Sequence, residues 1–360
     1  MKKLISFIVI VICVLQQSIG QGCVALKSTG AVCTKQDAAH LAATTKGWQL
    51  STNYRYFKSF RHFREKHEEE ERVENGSDVR NFSHTLDLGL VRTLDNRWSL
   101  GINLPLLATR RSSLYEHDGK TRHSTFSFGI GDIRIAAYRW ILNPSKMPKG
   151  NVQVGLGIKL PTGDYKYQDF FYKNDSTKVL GPVDQSIQLG DGGTGLTTEI
   201  NAYYNFSKKV SVYGSFYYLL NPREQNGVST ARGGTPSAAN IANGSYVMSV
   251  PDQFMIRVGA NMTFDKLTIS AGLRDDCLPS TDLVGGNNGF RRPGYIISVE
   301  PGLSYNFKNL TAYAYVPVAL VRNRTQSEPD KIRSSMTGTH VVGDAAFADY
   351  SINIGLSFKL

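Results

Sequence analysis

The sequence predicts an all-β protein: an antiparallel transmembrane β-barrel of about 12 strands, with short periplasmic turns and long extracellular loops. Three observations predict it. Segments of about 10–13 residues alternate apolar and polar side chains, long for soluble strands but suited to a tilted membrane crossing. The connections between them alternate between long and short. The chain also ends on a strictly alternating strand, with Ile352, Ile354, Leu356, Phe358 and Leu360 on one face and Ser351, Asn353, Gly355, Ser357 and Lys359 on the other. An uncovered apolar edge of this length would aggregate in water, whereas closure on a first strand near Trp48 removes the edge.

The 360 residues are 41% hydrophobic, with 34 Gly, 18 Tyr and 17 Phe, a balance that suits a large antiparallel β protein and not a bundle of membrane helices. The net charge of +11 favours anionic lipid heads. No basic stretch interleaved with aromatics appears along the chain, so nucleic acid is not an expected partner.

Met1-Lys2-Lys3, the apolar run Leu4 to Leu15 and Ser18-x-Gly20 read as a secretory signal peptide, residues 1–20, cleaved before Gln21. The run is too short to span a bilayer. Residues 21–46 form an N-terminal segment, periplasmic or tucked into the barrel mouth, with a short Ala-rich helix over Lys35–Ala43. Cys23 and Cys33 are a disulfide candidate; lipidation of Cys23 is the alternative, and Cys277 is left over. Residues 47–360 are the barrel.

Trp48, Leu50, Thr52, Tyr54 and Tyr56 open the first strand, after which residues 61–81, with Glu68-Glu69-Glu70-Glu71, read as a solvated charged loop. Strands follow at about 82–93 and 98–106, joined by Leu94-Asp95-Asn96-Arg97. After a polar loop at about 112–126 come strands at about 128–142 and 152–160. Residues at about 162–195, with Gly190-Asp191-Gly192-Gly193, read as a long loop, and Asp191-Gly192-Gly193 within it as a flexible stretch that lacks the further ligands of a Ca²⁺ turn. Three further hairpins turn at Ser207-Lys208, Asp265-Lys266 and Lys308-Asn309, and a last loop leads to the terminal strand. Trp48, Trp98, Tyr204, Phe206, Phe264, Tyr305, Phe307 and Phe358 cluster on the apolar face at the turn end, the pattern of an interfacial girdle.

Gly129-Ile130-Gly131-Asp132, continuing to Tyr138-Arg139, and then Gly155-Leu156-Gly157-Ile158-Lys159-Leu160-Pro161-Thr162-Gly163-Asp164 resemble the characteristic segments of outer-membrane barrels labelled "MetA-pathway of phenol degradation". Gln21 at the mature start and the overall composition are similar to Bacteroidetes proteins. The resemblance implies a transporter-like channel in the outer membrane of a Gram-negative bacterium, passing small solutes, hydrophobic or aromatic ones among them. Its expected partners are outer-membrane lipids and lipopolysaccharide, the barrel assembly machinery and a small-molecule solute.

Alternation assigns Arg55, Asp87, Asp132, Arg134, Lys159, Glu199, Arg257, Arg274, Glu300 and Lys359 to the lumen. Two readings compete. Either they brace and fill the barrel as cross-strand ion pairs, or they form a constriction that selects solutes by charge. The mixture of signs favours bracing, and a non-conducting surface-interaction barrel is the alternative function. The seven histidines fall mostly in loops, with no Ser/His pair at strand spacing, so no enzyme activity is expected. No metal and no cofactors are expected; the acidic run at residues 68–71 suits a solvated face better than a cation site.

Overall fold

A computed structural model describes residues 46–360. The signal peptide, nearly all of the N-terminal segment and the Cys23–Cys33 pairing lie outside the described residues. The wall is a closed 12-strand antiparallel barrel. Its strands are β1 Gly47–Arg64, β2 Arg80–Thr93, β3 Trp98–Ser113, β4 in two pieces (His123–Ile130 and Arg134–Trp140), β5 Gly150–Lys159 and β6 Gly195–Asn205. They continue as β7 Val210–Leu220, β8 Gln253–Phe264, β9 Leu267–Leu278, β10 Gly294–Asn306, β11 in two pieces (Leu310–Tyr315 and Val318–Asn323) and β12 Ala345–Lys359. Each strand pairs with the next, and β12 closes on β1 with Lys359 opposite Gln49 and Ile352 opposite Tyr56.

The period of two does what it predicts. Leu100, Ile135, Leu156, Leu196, Val258, Ile269, Leu303 and Ile354 are exposed on the outer wall, while Asn103, Arg134, Glu199, Arg257, Ser270 and Asn353 are buried inside. A continuous apolar exterior over a polar interior is stable only in lipid. Seven of the eight girdle aromatics are exposed, and Phe358 is partly so. Basic side chains pack on them: Arg92 on Trp48 at 5.1 Å and Arg139 on Trp98 at 5.2 Å. The turns at this end are held locally; Asp95 Oδ1, for example, accepts the Arg97 and Trp98 N–H groups at 2.7 and 2.8 Å.

Inside the wall, tyrosines lie across glycines of neighbouring strands. Tyr138 covers Gly155, Tyr213 covers Gly259 and Gly272, and Tyr313 covers Gly355 while donating to Thr52 O at 3.0 Å. A Cβ on Gly355 would collide with the Tyr313 ring and with the Thr52 carbonyl. Gly355→Ala is therefore expected to cost about 1–3 kcal/mol at the closing seam, read as heat-modifiable gel migration lost at a lower temperature than in the native protein.

Several expectations are corrected. β1 runs on to Arg64, so the first loop begins later, and its end is not solvated: Asp78 and Val79 are buried. The cause is a pair of register shifts between Phe57 and Arg61, which break the alternation without ending the strand. β3 likewise extends to Ser113 and β4 starts at His123, shrinking the next loop. β4 is interrupted at residues 131–133 and β11 at Val316-Pro317, where Pro317 cannot donate to a ladder. His62 is on a strand and buried, its Nδ1 2.7 Å from Asp344 and its Nε2 accepting Val79 N–H at 2.8 Å. The loops carry hairpins of their own, Gln168–Tyr172 with Lys178–Pro182 and Gln225–Ser229 with Val247–Ser249. They also carry the helix Glu328–Thr337, started by a capping box at Ser327 and Asp330.

Candidate solute vestibule and lumen plug

The long connection between β5 and β6 turns inward. Its segment Asp184–Asp191 includes one turn of 3-10 helix, Gln185–Ile187, and buries Ile187, Gln188 and Leu189. The long loop expected at about 162–195 is thus packed over this stretch and not wholly solvated. Three apolar residues in an otherwise polar stretch, Val183, Ile187 and Leu189, carry the segment into the barrel.

Four anchors hold it. Asp184 takes Arg292 through both carboxylate oxygens, at 2.9 and 2.6 Å, and lies 3.5 Å from Arg111. Arg111 in turn holds Glu116 at 2.9 and 2.8 Å and Asn81 at 2.9 Å. The hydroxyl of Ser127 donates to Ile187 O. The Gln188 side chain donates to Val183 O at 2.9 Å and accepts Tyr167 N–H at 3.0 Å, fixing the bend. Last, Lys159 bridges Asp132 and Asp191, and Asp132 accepts the N–H groups of Gly163 at 3.0 Å and Asp191 at 3.2 Å.

This fourth anchor explains the residues that carried the sequence resemblance. The interruption of β4 frees the Gly131 carbonyl and the Ile133 N–H, and Thr162 meets both, accepting from Ile133 at 2.8 Å and donating to Gly131 O at 2.9 Å. Gly163 and Gly190 pass so closely that a Cβ on Gly190 would sit 2.6 Å from Asp132 Oδ1. The two Gly-rich segments thus form one joint, and the joint holds the plug.

Above the plug is a cavity of about 420 Å³, open at the outer mouth. Its wall includes Arg111, Asp184, Arg292 and Asp344, with Tyr115, Met248 and Phe290 among them. Below the plug a space of about 40 Å³ remains beside Asp132, Arg134, Lys159 and Tyr217.

Of the sequence-assigned charges, Arg55, Asp87, Arg134, Lys159, Glu199, Arg257, Arg274 and Glu300 are buried inside the wall. The parity of β10 turns Glu300 inward, where it accepts from Arg257 at 2.9 Å and from Arg274 at 3.5 Å. Arg274 also holds Asp276 at 2.7 Å through two nitrogens. Glu199 takes Arg134 and the Tyr138 hydroxyl, the latter at 3.0 Å. Arg55 and Asp87 are diagonal neighbours across β1 and β2. Asp132 sits in the β4 interruption and not on a strand. Lys359 is exposed at the turn end and joins none of these pairs, because its strand ends there. Sequence reasoning missed Arg111, Glu116, Asp184 and Arg292, which lie in or beside segments read as loops.

Burial pushes the Asp184 carboxyl up, but Arg111 and Arg292 outweigh it and hold it well below the usual carboxylate range. A depressed folded-state value means that the stabilisation is present above the unfolded carboxylate value and is lost only as pH falls through the lower folded one. The plug anchor is therefore expected to hold from pH 7 down to about 4. Conductance in planar bilayers should stay level over that range in the native protein and rise at neutral pH in Asp184→Asn.

No protein-family model matches the chain. Among solved structures, an outer-membrane channel from Pseudomonas putida F1 is similar over 88% of this chain and 97% of its own, at 12% identity and a TM-score of 0.56. The translocator domain of the autotransporter NalP from Neisseria meningitidis covers 91% of this chain and 93% of its own, at 11% identity and a TM-score of 0.46. The monoaromatic hydrocarbon channel CymD covers 93% and 94%, at 10% identity and a TM-score of 0.44. The first likeness is one of fold, and the other two are slighter. Closed 12-strand architecture, an apolar exterior, an aromatic girdle and short turns at one end place the protein in the outer membrane of a Gram-negative bacterium, as an outer-membrane barrel.

Proposed function

We propose that the protein is a gated outer-membrane channel for the passive passage of small solutes, with segment 184–191 as its gate. The observation that carries this reading is the vestibule of about 420 Å³, within the usual size of a small-molecule site, whose floor is a loop segment and not the wall. Wall strands share ladders along their length; the segment is tied to the wall through side chains, those of Arg111, Ser127, Asp132 and Lys159, which can let go without opening the barrel. Tyr115, Met248 and Phe290 beside Arg292 suit a small aromatic or hydrophobic compound with a polar substituent. The resemblance to the "MetA-pathway of phenol degradation" barrels supports the same class. In this reading the buried charges of the middle lumen brace the wall and do not select by sign, since Arg134, Arg257 and Arg274 each meet a carboxylate.

Those same pairs favour a second reading, a non-conducting barrel that acts through its loops. Planar bilayers separate the two. Brief openings by the folded native protein, with liposome swelling in small aromatic solutes, are expected of the channel; silence at every voltage from a heat-modifiable, folded sample would end it.

A further inference from the structure

One register line on the outer wall alternates cation and aromatic across four strands. Lys58 on β1 is paired with Phe82 on β2, Phe82 with Arg110 on β3, and Arg110 with Phe126 on β4. All four side chains have the outward parity of their strands. Lys58 Nζ lies 4.2 Å from the Phe60 ring centroid and 5.9 Å from that of Phe82, and the Arg110 guanidinium lies 4.2 Å from Phe82 on its own side. Sharing one ring, the two charges are no more than about 10 Å apart. Neither has a carboxylate partner among the described residues, in a protein that pairs most of its other arginines. The line ends at Phe126, whose N–H donates to Asp169.

Height gives the line its meaning. Lys58 is ten residues above the girdle Trp48 on the same strand. At about 3.3 Å per residue and a tilt near 40°, that is about 25 Å, the height of the apolar band. The charges therefore stand where the acyl chains of the outer leaflet end and its headgroups begin. Beneath them the outward positions are first Tyr56, His84, Ala108 and Phe128 and then Tyr54, Leu86, Leu106 and Ile130, a mostly apolar wall for acyl chains in which the one imidazole, His84, is met by the Tyr54 hydroxyl at 2.7 Å. The feature is local: on β7, β8 and β9 the outward residues near the same end are Tyr218, Ile256 and Asp275.

We propose that Lys58 and Arg110 form a binding site for the phosphate of a phosphorylated, acylated glycolipid of the outer leaflet, with Phe82 setting their spacing and the wall below holding the acyl chains. Two cations desolvated at the interface gain most from a phosphate, which accepts from both. The site lies on the outer wall and is independent of whether the lumen conducts.

The test is native mass spectrometry of the full mature protein in detergent, titrated with bisphosphorylated lipid A. The native protein is expected to retain the lipid, and Lys58→Gln with Arg110→Gln to bind about tenfold more weakly, a loss of about 1.4 kcal/mol. Lys58→Arg with Arg110→Lys, which keeps both charges, should bind as the native protein does. Dephosphorylated lipid A on the native protein should match the weakened variant, and this arm decides the matter even where the variant fails to fold. Equal binding of the dephosphorylated lipid, or equal binding of phosphatidylglycerol, would overturn the proposal.

Discussion

Replacing Gln185–Leu189 with a short Gly–Ser linker is expected to raise single-channel conductance several-fold and to admit larger solutes in liposome swelling. The segment floors the vestibule and separates it from the small space beside Arg134 and Lys159. The linker removes the buried Ile187, Gln188 and Leu189 and leaves every wall ladder in place. Arg111 keeps Glu116, so no arginine at the anchor is stranded by the change. The barrel should remain folded, which heat-modifiable migration checks. Unchanged conductance in a folded linker variant would mean that the constriction lies elsewhere, in the ring of ion pairs below.

That ring supplies the second large effect. Glu300 is completely buried and is shared by Arg257 and Arg274. Glu300→Gln leaves two guanidiniums with a neutral amide between them. Removing one partner of a buried pair costs about 3–5 kcal/mol, because a charge is left uncompensated. The urea midpoint of the variant in detergent micelles should fall accordingly. Changing Arg257 and Glu300 together to leucine should recover most of the loss, because the desolvation cost disappears with the pair. Arg274 still holds Asp276 in that double variant. If bracing is the role of these charges, both variants keep the native ion selectivity; a shift in selectivity would favour the constriction reading instead.

The wall was legible because its physics is local. Lipid outside and polar lumen inside impose a period of two on every crossing, and the alternation of long and short connections follows from the two sides of the membrane. What was not legible came from departures from that period or from contacts between distant segments. The register shifts near Ser59 hide the end of β1 from a period-two reading. The β4 interruption reads as continuous strand, since Asp132 and Arg134 keep the right parity; only Thr162, about 30 residues on, shows that the ladder is broken. Asp184 had no periodic context at all, and its partners Arg111 and Arg292 come from β3 and from a loop before β10. Val183, Ile187 and Leu189 were the available signal that this loop is packed. The cation–aromatic line is invisible along the chain because its four members come from four strands, joined only by register.

The gate assignment can be tested by tethering. Ser186 Oγ on the segment lies 3.4 Å from Asn81 Oδ1 on β2, so cysteines at the two positions are neighbours that oxidation, or a short bifunctional thiol reagent, can tether. In a background without native cysteines, Asn81→Cys with Ser186→Cys should be silent in planar bilayers when oxidised and should regain the native openings on addition of reductant. Openings of equal frequency and size in the oxidised and reduced forms would contradict the account.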